Sequence, residues 1–267
     1  MQDIDENPKT ALITGASSGI GLAFAREFAE QGFDVVLVAR RENKLNEIAA
    51  EIKAQYGAMV TVIVGDLADP STPQAIFDTI KEKGITIDAL VNNAGYSIDE
   101  KFLDTDWETH ANYIQVLSTS LVHLCHLFAP GMKERNYGRI INISSIAAFS
   151  PQLSGSLYGA AKSFVLNFTQ AIDLELKPHN VFCTALCPGF TYSEFHDAMG
   201  VREAVNRLPK FLWMDAQTVA KEGIRAVMEG KAVHINGLLN QGVSQVLAAL
   251  PVRVKQFISE KQSIFEL

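Results

Sequence analysis

TGASSGIG (residues 14–21) places three glycines in eight residues, directly after a short apolar run at 11–13. Glycine has no Cβ and tolerates positive φ, so a glycine cluster indicates that other groups approach the backbone closely. The amphipathic pattern at 22–29 predicts a helix that opens within Gly19–Gly21. A helix N-terminus presents unpaired amides and a positive dipole end, which suit a phosphate. The stretch therefore predicts a phosphate-binding turn between a strand and a helix, with an ordinary Gly/Ser turn as the alternative.

Short apolar runs alternate with helical patterns along the rest of the chain. The runs predict strands at 11–14, 34–39, 59–64, 87–91, 139–144, 181–186 and 231–235, and the longest helical patterns lie at 106–135 and 156–178. Strands that are apolar on both faces and separated by helices form a parallel sheet that is covered on both sides. The chain shows no repeat or linker, so 1–267 is predicted to be one α/β domain, a Rossmann-like doubly wound sheet in a three-layer α/β/α arrangement.

Composition excludes several classes of function. The chain has 48% hydrophobic and 20% charged residues, a balance typical of a soluble globular protein, and its net charge of −7 argues against nucleic-acid binding. Three cysteines without a CxxC spacing, and histidines without a ligand cluster, predict neither a disulfide frame nor a metal site. The acidic N-terminal segment lacks the features of a secretory signal and no stretch is apolar enough to span a membrane, so we expect a cytoplasmic protein.

Residues able to do chemistry follow the predicted strands. Ligands of doubly wound sheets bind outside the carboxyl ends of the strands. At those ends lie the 14–21 turn, Arg40 and Arg41, Asp66, the NNAG stretch at 92–95, Ser144 and Ser145, and Pro188 with Gly189. Six loops therefore line one edge of the sheet, and that edge is the predicted binding site.

The end of the second predicted strand bears on the choice of cofactor. An NAD-binding version of this fold carries an acidic residue there, which accepts hydrogen bonds from the ribose 2′-hydroxyl. Here the strand ends with Arg40 and Arg41, and a guanidinium suits a 2′-phosphate. NADP(H) is therefore predicted, with NAD less favoured. The alternative is that both arginines are solvated surface residues beside Glu42.

Tyr158 and Lys162 are separated by four residues inside an apolar helical pattern, which places them on one face of a helix. A nearby ammonium lowers the pKa of a phenol towards the range in which a general acid or base works best. Ser145 lies thirteen residues before Tyr158, at a strand end facing the same edge. These three residues are the candidate catalytic group.

The sequence resembles the short-chain dehydrogenase/reductase family in five motifs, which occur in the family's order and span nearly the whole chain. They are TGASSGIG, NNAG, Ser145, YGAAK (158–162) and Pro-Gly at 188–189. The resemblance implies an NADP(H)-dependent oxidoreductase that interconverts a carbonyl compound and its alcohol by hydride transfer. In the family's scheme Tyr158 is the general acid/base and Ser145 hydrogen-bonds the substrate oxygen. Lys162 holds the nicotinamide ribose and lowers the pKa of the phenol.

The resemblance also implies cofactor contacts and an assembly. The glycines of the 14–21 turn lie around the pyrophosphate, Asp66 and Asn92 near the adenosine, and Thr191 at the nicotinamide carboxamide. The full expected set is Gly15, Ser17, Ser18, Gly19, Ile20, Gly21, Arg40, Arg41, Asp66, Leu67, Asn92, Ala94, Gly95, Tyr158, Lys162, Pro188, Gly189 and Thr191. Family members associate through the helices at 106–135 and 156–178, so a homodimer or homotetramer is expected.

One departure from the family pattern leaves alternatives open. Leu117 stands where the family carries an asparagine that supports a water passing protons to the lysine. A backbone carbonyl at the same place would keep this relay, and the protein would then be an active reductase. Without the relay it would be an NADP(H)-binding protein with little turnover, acting as a sensor or through partners. A third reading is an epimerase or dehydratase that retains its cofactor.

Two segments differ from the core of the family pattern. The substrate loop at 188–214 holds aromatic residues, including Phe190, Tyr192 and Trp213, which predict a small apolar carbonyl or alcohol substrate or else belong to the core. An added tail at 238–267 carries an apolar stripe at helical spacing. The tail is interpreted as a helix packed on the protein's own core, a dimer contact or a lid, with a membrane contact least favoured.

Overall fold

The computed structural model describes residues 8–98, 100–149, 156–192 and 213–257. Seven strands form one parallel sheet of order β3-β2-β1-β4-β5-β6-β7. The strands are β1 Thr10–Thr14, β2 Asp34–Ala39, β3 Val60–Val64, β4 Ala89–Asn92, β5 Gly138–Ile143, β6 Val181–Cys187 and β7 Val233–Ile235. The helices are α1 Gly19–Glu30, α2 Glu42–Tyr56, α3 Thr72–Glu82, α4 Trp107–Ile114, α5 Ser120–Glu134, α6 Ser156–Leu176, α7 Ala216–Met228 and α8 Leu238–Ala249.

Helices cover both faces of the sheet, as the apolar strands predict. Side chains from α1, α2 and α7 pack on one face, with Phe24 and Phe28 of α1 fully buried. Side chains from α3, α5 and α6 pack on the other face, around Leu12 and Leu90. The predicted Rossmann-like, doubly wound α/β fold is confirmed. Its strand order reverses between β1 and β4, so the switch point lies beside the glycine turn.

The helix expected over 106–135 is interrupted by a π turn at Gln115–Thr119, between α4 and α5. Leu117, at the position of the family's asparagine, lies in this π turn and is buried. The hydroxyl of Ser120 donates to the carbonyl oxygen of Leu67 at 2.8 Å. The start of α5, directly after the π turn, is thereby joined to the loop after β3, which belongs to the predicted cofactor edge.

Restoring the family residue is expected to destabilise the protein. In Leu117→Asn a polar amide replaces a side chain that is 1% exposed, so we expect the free energy of unfolding to fall by about 1–3 kcal/mol. Leu117→Met is the size-matched control, with an expected loss under about 1.5 kcal/mol. Urea denaturation of both variants measures the difference. Equal stability of Leu117→Asn and wild type would show that the pocket already accommodates a polar group.

The tail helix α8 has little contact with the protein core. Within α8 only Ser244 is buried, whereas Leu238, Leu239 and Val246 are among the exposed apolar side chains. The interpretation of its stripe as a core-facing side is therefore wrong for α8. In the part of the chain that the structure describes, no helix is both long and apolar enough to cross a bilayer. Residues 258–267 of the tail lie outside the described part.

The two ends of the predicted substrate loop are paired with each other. The amide of Tyr192 donates to the Met214 carbonyl at 3.0 Å, and the amide of Met214 donates to the Phe190 carbonyl at 2.9 Å. The rings of Tyr192 and Trp213 stack with centroids 4.6 Å apart. We call 190–192 with 213–214 the loop stem. Residues 193–212, which complete the predicted loop, lie outside the described residues.

Candidate active site

The glycine turn is shaped by close contact with the loop after β4. Gly15 and Gly19 have φ of +66° and +55°, conformations that favour glycine. A Cβ on Gly21 would overlap the carbonyl oxygen of Gly15 and lie 2.5 Å from Nδ2 of Asn93. A Cβ on Gly15 would lie 2.9 Å from Cα of Ala94. The glycines therefore allow two loops of the sheet edge to touch.

Asn93 and Thr14 hold these two loops together, and the sequence reasoning missed both. Nδ2 of Asn93 donates to the Thr14 carbonyl at 2.9 Å. The Thr14 hydroxyl accepts from the amides of Asn93 and Ala94 at 3.0 and 3.1 Å. Both residues stand within the quoted motifs, but their spacing alone does not say which side chain faces a neighbouring loop.

The N-terminus of α1 is open to an anion. Ser18, the residue before the helix, makes no side-chain capping bond. The hydrogen bonds of the helix begin with the amide of Leu22, which donates to the Ser18 carbonyl. The amides of Gly19 to Gly21 are the donors that a helix leaves for a ligand. The glycine turn thus has the backbone shape and free donors that suit a nucleotide phosphate.

Two arginines follow β2 beside this turn. The guanidinium of Arg41 donates to the Ser17 hydroxyl at 2.9 Å through Nη2 and at 3.2 Å through Nε. The side chain of Arg40 is 75% exposed and lies 3.7 Å from the Asp66 carboxylate. No acidic residue occupies the end of β2, which is Ala39. The positive charge lies where a 2′-phosphate of a bound dinucleotide would be expected.

Of the residues predicted to lie near the adenosine, Asp66 lies at the edge of the sheet and the side chain of Asn92 lies in the core. Asp66 is exposed at the edge, and its carboxylate accepts from the amide of Ala68 at 3.0 Å. The side chain of Asn92 is buried and donates to Oδ1 of Asn142 at 2.8 Å. Only the backbone of Asn92 is thus available to the edge. The space beside Gly95 is bounded by Leu117, 3.8 Å from where a Cβ would stand.

Ser145, Tyr158 and Lys162 meet at the same edge. Ser145 follows β5, and the other two lie in α6. A hydrogen bond links the side chains of Ser145 and Tyr158, and the Ser145 hydroxyl also accepts from the amide of Ala147 at 3.1 Å. Nζ of Lys162 lies 5.7 Å from the centroid of the Tyr158 ring and donates to the Ile143 carbonyl at 2.8 Å. The three predicted residues therefore form one cluster.

Burial controls the charges in this cluster. Burial raises the pKa of Tyr158, and the hydrogen bond from Ser145 offsets part of that rise. Burial also lowers the pKa of Lys162 to about 8, against the opposing influence of Cys187. The prediction that Lys162 lowers the pKa of the phenol is wrong for this structure, because burial dominates and Nζ is bonded to Ile143.

The loop after β6 completes the edge. The Pro188 carbonyl accepts from the amide of Ile146 at 3.1 Å, so this loop is tied to the segment that follows Ser145. Gly189 has no room for a Cβ, because the side chain of Asn240 from α8 occupies that space. Thr191 is buried, and its hydroxyl donates to the Gly189 carbonyl at 3.0 Å. The tail helix therefore braces the segment expected at the nicotinamide.

Metal and disulfide chemistry have no support in the described structure. Across 8–98, 100–149, 156–192 and 213–257, no group of three or more histidine, cysteine or acidic side chains is placed to hold a metal ion. The three cysteines, Cys125, Cys183 and Cys187, are free and buried. Burial raises the pKa of the Cys187 thiol to about 11, so it is protonated at neutral pH.

The doubly wound sheet, with a glycine turn and a Ser-Tyr-Lys cluster at one edge, defines a dinucleotide-dependent oxidoreductase. The family model described as short chain dehydrogenase matches residues 9–203. The chain belongs to this short-chain dehydrogenase/reductase family, and its relatives include a 3-oxoacyl-CoA reductase and a ketone-specific alcohol dehydrogenase.

Three comparisons show how close the similarity is. The chain is 38% identical over 184 residues to the very-long-chain 3-oxoacyl-CoA reductase of Anas platyrhynchos, a match that covers 67% of this chain and 58% of that protein. A short-chain dehydrogenase from Sphingobium yanoikuyae, solved with NADPH, superposes with a TM-score of 0.80 at 31% identity, covering 91% and 96% of the two chains. The bulky-bulky ketone specific alcohol dehydrogenase from Comamonas testosteroni gives a TM-score of 0.76 at 28% identity, covering 92% and 96%.

Proposed function

We propose that the protein is an NADPH-dependent reductase of apolar ketones and aldehydes, which also runs the reverse oxidation of the alcohols. The observation that carries this proposal is the hydrogen-bonded Ser145–Tyr158 pair, with Lys162 beside it, at the edge that holds the glycine turn. The names of the duck and Comamonas relatives, a 3-oxoacyl-CoA reductase and a bulky ketone dehydrogenase, support a ketone as substrate.

The mechanism assigns each side chain a separate task. A bound nicotinamide supplies the hydride that reduces the carbonyl carbon. The Tyr158 hydroxyl donates its proton to the carbonyl oxygen as negative charge develops there. The Ser145 hydroxyl donates a hydrogen bond to the same oxygen and stabilises the alkoxide. Lys162 returns a proton towards Tyr158 and binds the cofactor ribose.

NADP(H) is the proposed cofactor, rather than NAD. Arg40 and Arg41 supply positive charge after β2, where an NAD-binding site would need a carboxylate. The NADPH complex of the Sphingobium relative supports the same choice. A cytoplasmic location and a homodimer or homotetramer remain predictions, the first from the sequence and the second from the family resemblance.

The test is a fluorescence titration of the purified protein with NADPH and NADH, followed by oxidation of the preferred cofactor with a panel of apolar ketones and aldehydes. We expect NADPH to bind at least about tenfold more tightly, the gain from one added charge-assisted contact. We also expect NADPH to be consumed only when a carbonyl compound is present. Tighter binding of NADH would contradict the assignment of the arginines.

Arg41→Ala is expected to weaken NADPH binding by about 10- to 100-fold and NADH binding by less than about threefold, because only NADPH carries the 2′-phosphate. The two dissociation constants measure this selectivity. Arg26→Ala is the matched control, since Arg26 forms an ion pair with Glu51 on the outer face of α1. If Arg41→Ala weakens the binding of both cofactors equally, the role of Arg41 is to shape the turn through Ser17.

The second candidate is an NADP(H)-binding protein with little turnover. The buried Leu117 in the π turn favours it, because this side chain cannot support the water that the family's asparagine holds. This candidate would be selected if the protein binds NADPH tightly but no carbonyl compound of the panel oxidises it, and if the Tyr158→Phe variant behaves identically.

A further inference from the structure

A small cavity lies beside Tyr158 and is lined by residues of α4. His110 and Tyr113 line it together with Phe102 and Leu157. Its volume of about 10 Å³ holds roughly one water molecule or one hydroxyl oxygen. None of the roles assigned above to Ser145, Tyr158 and Lys162 uses this cavity.

Tyr113 brings an unused hydrogen-bond donor to the cavity. Its side chain is 1% exposed, and among the residues that the structure describes its hydroxyl has no acceptor for its proton. The Ser97 hydroxyl lowers the pKa of Tyr113, as a hydrogen-bond donor to the phenol oxygen does, so this contact leaves the phenol proton unused. Burial and the neighbouring Tyr158 raise the pKa of Tyr113, so the phenol keeps its proton and can donate it in a hydrogen bond.

His110 brings an unused acceptor. Its Nε2 lies 3.0 Å from the carbonyl oxygen of Phe102, and the two rings stack with centroids 4.8 Å apart. A carbonyl only accepts hydrogen bonds, so Nε2 carries the proton, and in the neutral imidazole Nδ1 keeps a free lone pair. Nδ1 is buried and has no partner in the described part of the chain. Buried polar atoms without partners are few in native proteins, and two in side chains that line one cavity need an explanation.

We propose that this cavity is a subsite for one hydroxyl group of the substrate, which accepts from the Tyr113 hydroxyl and donates to Nδ1 of His110. The inference rests on the proposed reduction of a ketone at Tyr158, and it narrows the substrate class to ketones that carry a second, hydroxyl oxygen. Glu100 also lines the cavity, and its negative charge disfavours a substrate carboxylate at this place. A neutral hydroxyl satisfies both unpaired atoms at once.

The test compares cyclohexanone with its 2-, 3- and 4-hydroxy derivatives, which present the hydroxyl at three distances from the ketone. We expect wild type to favour at least one derivative by about tenfold or more in kcat/KM, and Tyr113→Phe to remove most of that preference. Tyr137→Phe removes a hydroxyl just before β5, at the opposite end of the sheet, and is expected to keep the preference. The proposal is overturned if wild type shows no preference for any hydroxy derivative, or if the preference persists in Tyr113→Phe.

Calorimetric binding of the same four compounds to the protein with NADP⁺ separates this proposal from the proposed function. If no ketone is reduced, the reductase function fails, and binding alone then decides the subsite. The subsite is supported if a hydroxy derivative binds more tightly than cyclohexanone and Tyr113→Phe abolishes the difference. Equal binding of all four compounds overturns it.

The thermal midpoint of the free protein distinguishes this role from a structural one. Removal of a hydroxyl that only holds the fold together would lower that midpoint. A hydroxyl without a partner contributes nothing to folding, so Tyr113→Phe is expected to leave the thermal midpoint unchanged or raised. A midpoint lowered by more than about 3 °C would show that the hydroxyl is bonded within the protein, and it would overturn the assignment.

Discussion

Tyr158→Phe is expected to lower kcat/KM for ketone reduction by roughly 100- to 10,000-fold, because the variant has no proton to give to the developing alkoxide. The ring itself stays in place, and NADPH binding is expected to change by less than about threefold, since hydrogen bonds to the cofactor come from many other groups. Steady-state kinetics with the preferred ketone and a cofactor titration measure the two quantities.

Tyr137→Phe serves as the control for the loss of a phenol hydroxyl away from the edge, because the Tyr137 ring packs against the guanidinium of Arg139. A Tyr158→Phe variant that retains more than about a tenth of wild-type kcat/KM would remove Tyr158 from the proposed proton transfer. In that case the Ser145 hydroxyl, which is hydrogen-bonded to it, would be the next candidate donor.

Gly21→Ala is expected to lower the free energy of unfolding by about 1–3 kcal/mol and to weaken NADPH binding by at least about tenfold. The added methyl would overlap the Gly15 carbonyl and Nδ2 of Asn93, so the turn and the loop after β4 must move apart. The Gly15 carbonyl is part of the backbone of the turn, and Nδ2 of Asn93 cannot move away without breaking its bond to Thr14. Urea denaturation and NADPH titration measure the two effects.

Gly242→Ala provides the matched control for a methyl added to a helix glycine. Gly242 lies in α8, and nothing stands within 4 Å of its Cβ position. Alanine has a better helix propensity than glycine, so a stability gain of about 0.5–1 kcal/mol is expected there. A Gly21→Ala variant as stable as this control, with unchanged NADPH binding, would contradict the close packing of the two loops.

Much of the fold could be predicted, because the signals that fix it are local. Strands such as β1 and β5 are buried at every position, and their runs of aliphatic residues stand out against the amphipathic helices. The 14–21 turn carries its own shape, since Gly15 and Gly19 adopt positive φ that other residues rarely take. The order of motifs then places Ser145, Tyr158 and Lys162 on one edge without any knowledge of distances.

The rest depends on contacts between distant parts of the chain. The sequence NNAG does not tell which asparagine faces the core, whereas the structure buries Asn92 against Asn142 and joins Asn93 to Thr14. The π turn around Leu117 shifts the helix register, and spacing rules assume a constant 3.6-residue period.

The unpaired atoms of the cavity were equally hidden from the sequence. Nothing in their spacing distinguishes His110 and Tyr113 from ordinary core residues of an amphipathic helix. The unpaired state of both atoms is a property of the packed structure, because it depends on which groups every neighbouring element leaves within reach.

The loop stem makes this protein suited to loop grafting. Its backbone bonds between Tyr192 and Met214 and between Met214 and Phe190 bring the two ends of the substrate segment to one point, and the stacked rings of Tyr192 and Trp213 hold that point together. We therefore expect that the predicted substrate loop between the two ends can be exchanged for that of another reductase without a change in the sheet, the glycine turn or Tyr158. On that prediction, substrate preference becomes a replaceable module on a fixed catalytic frame.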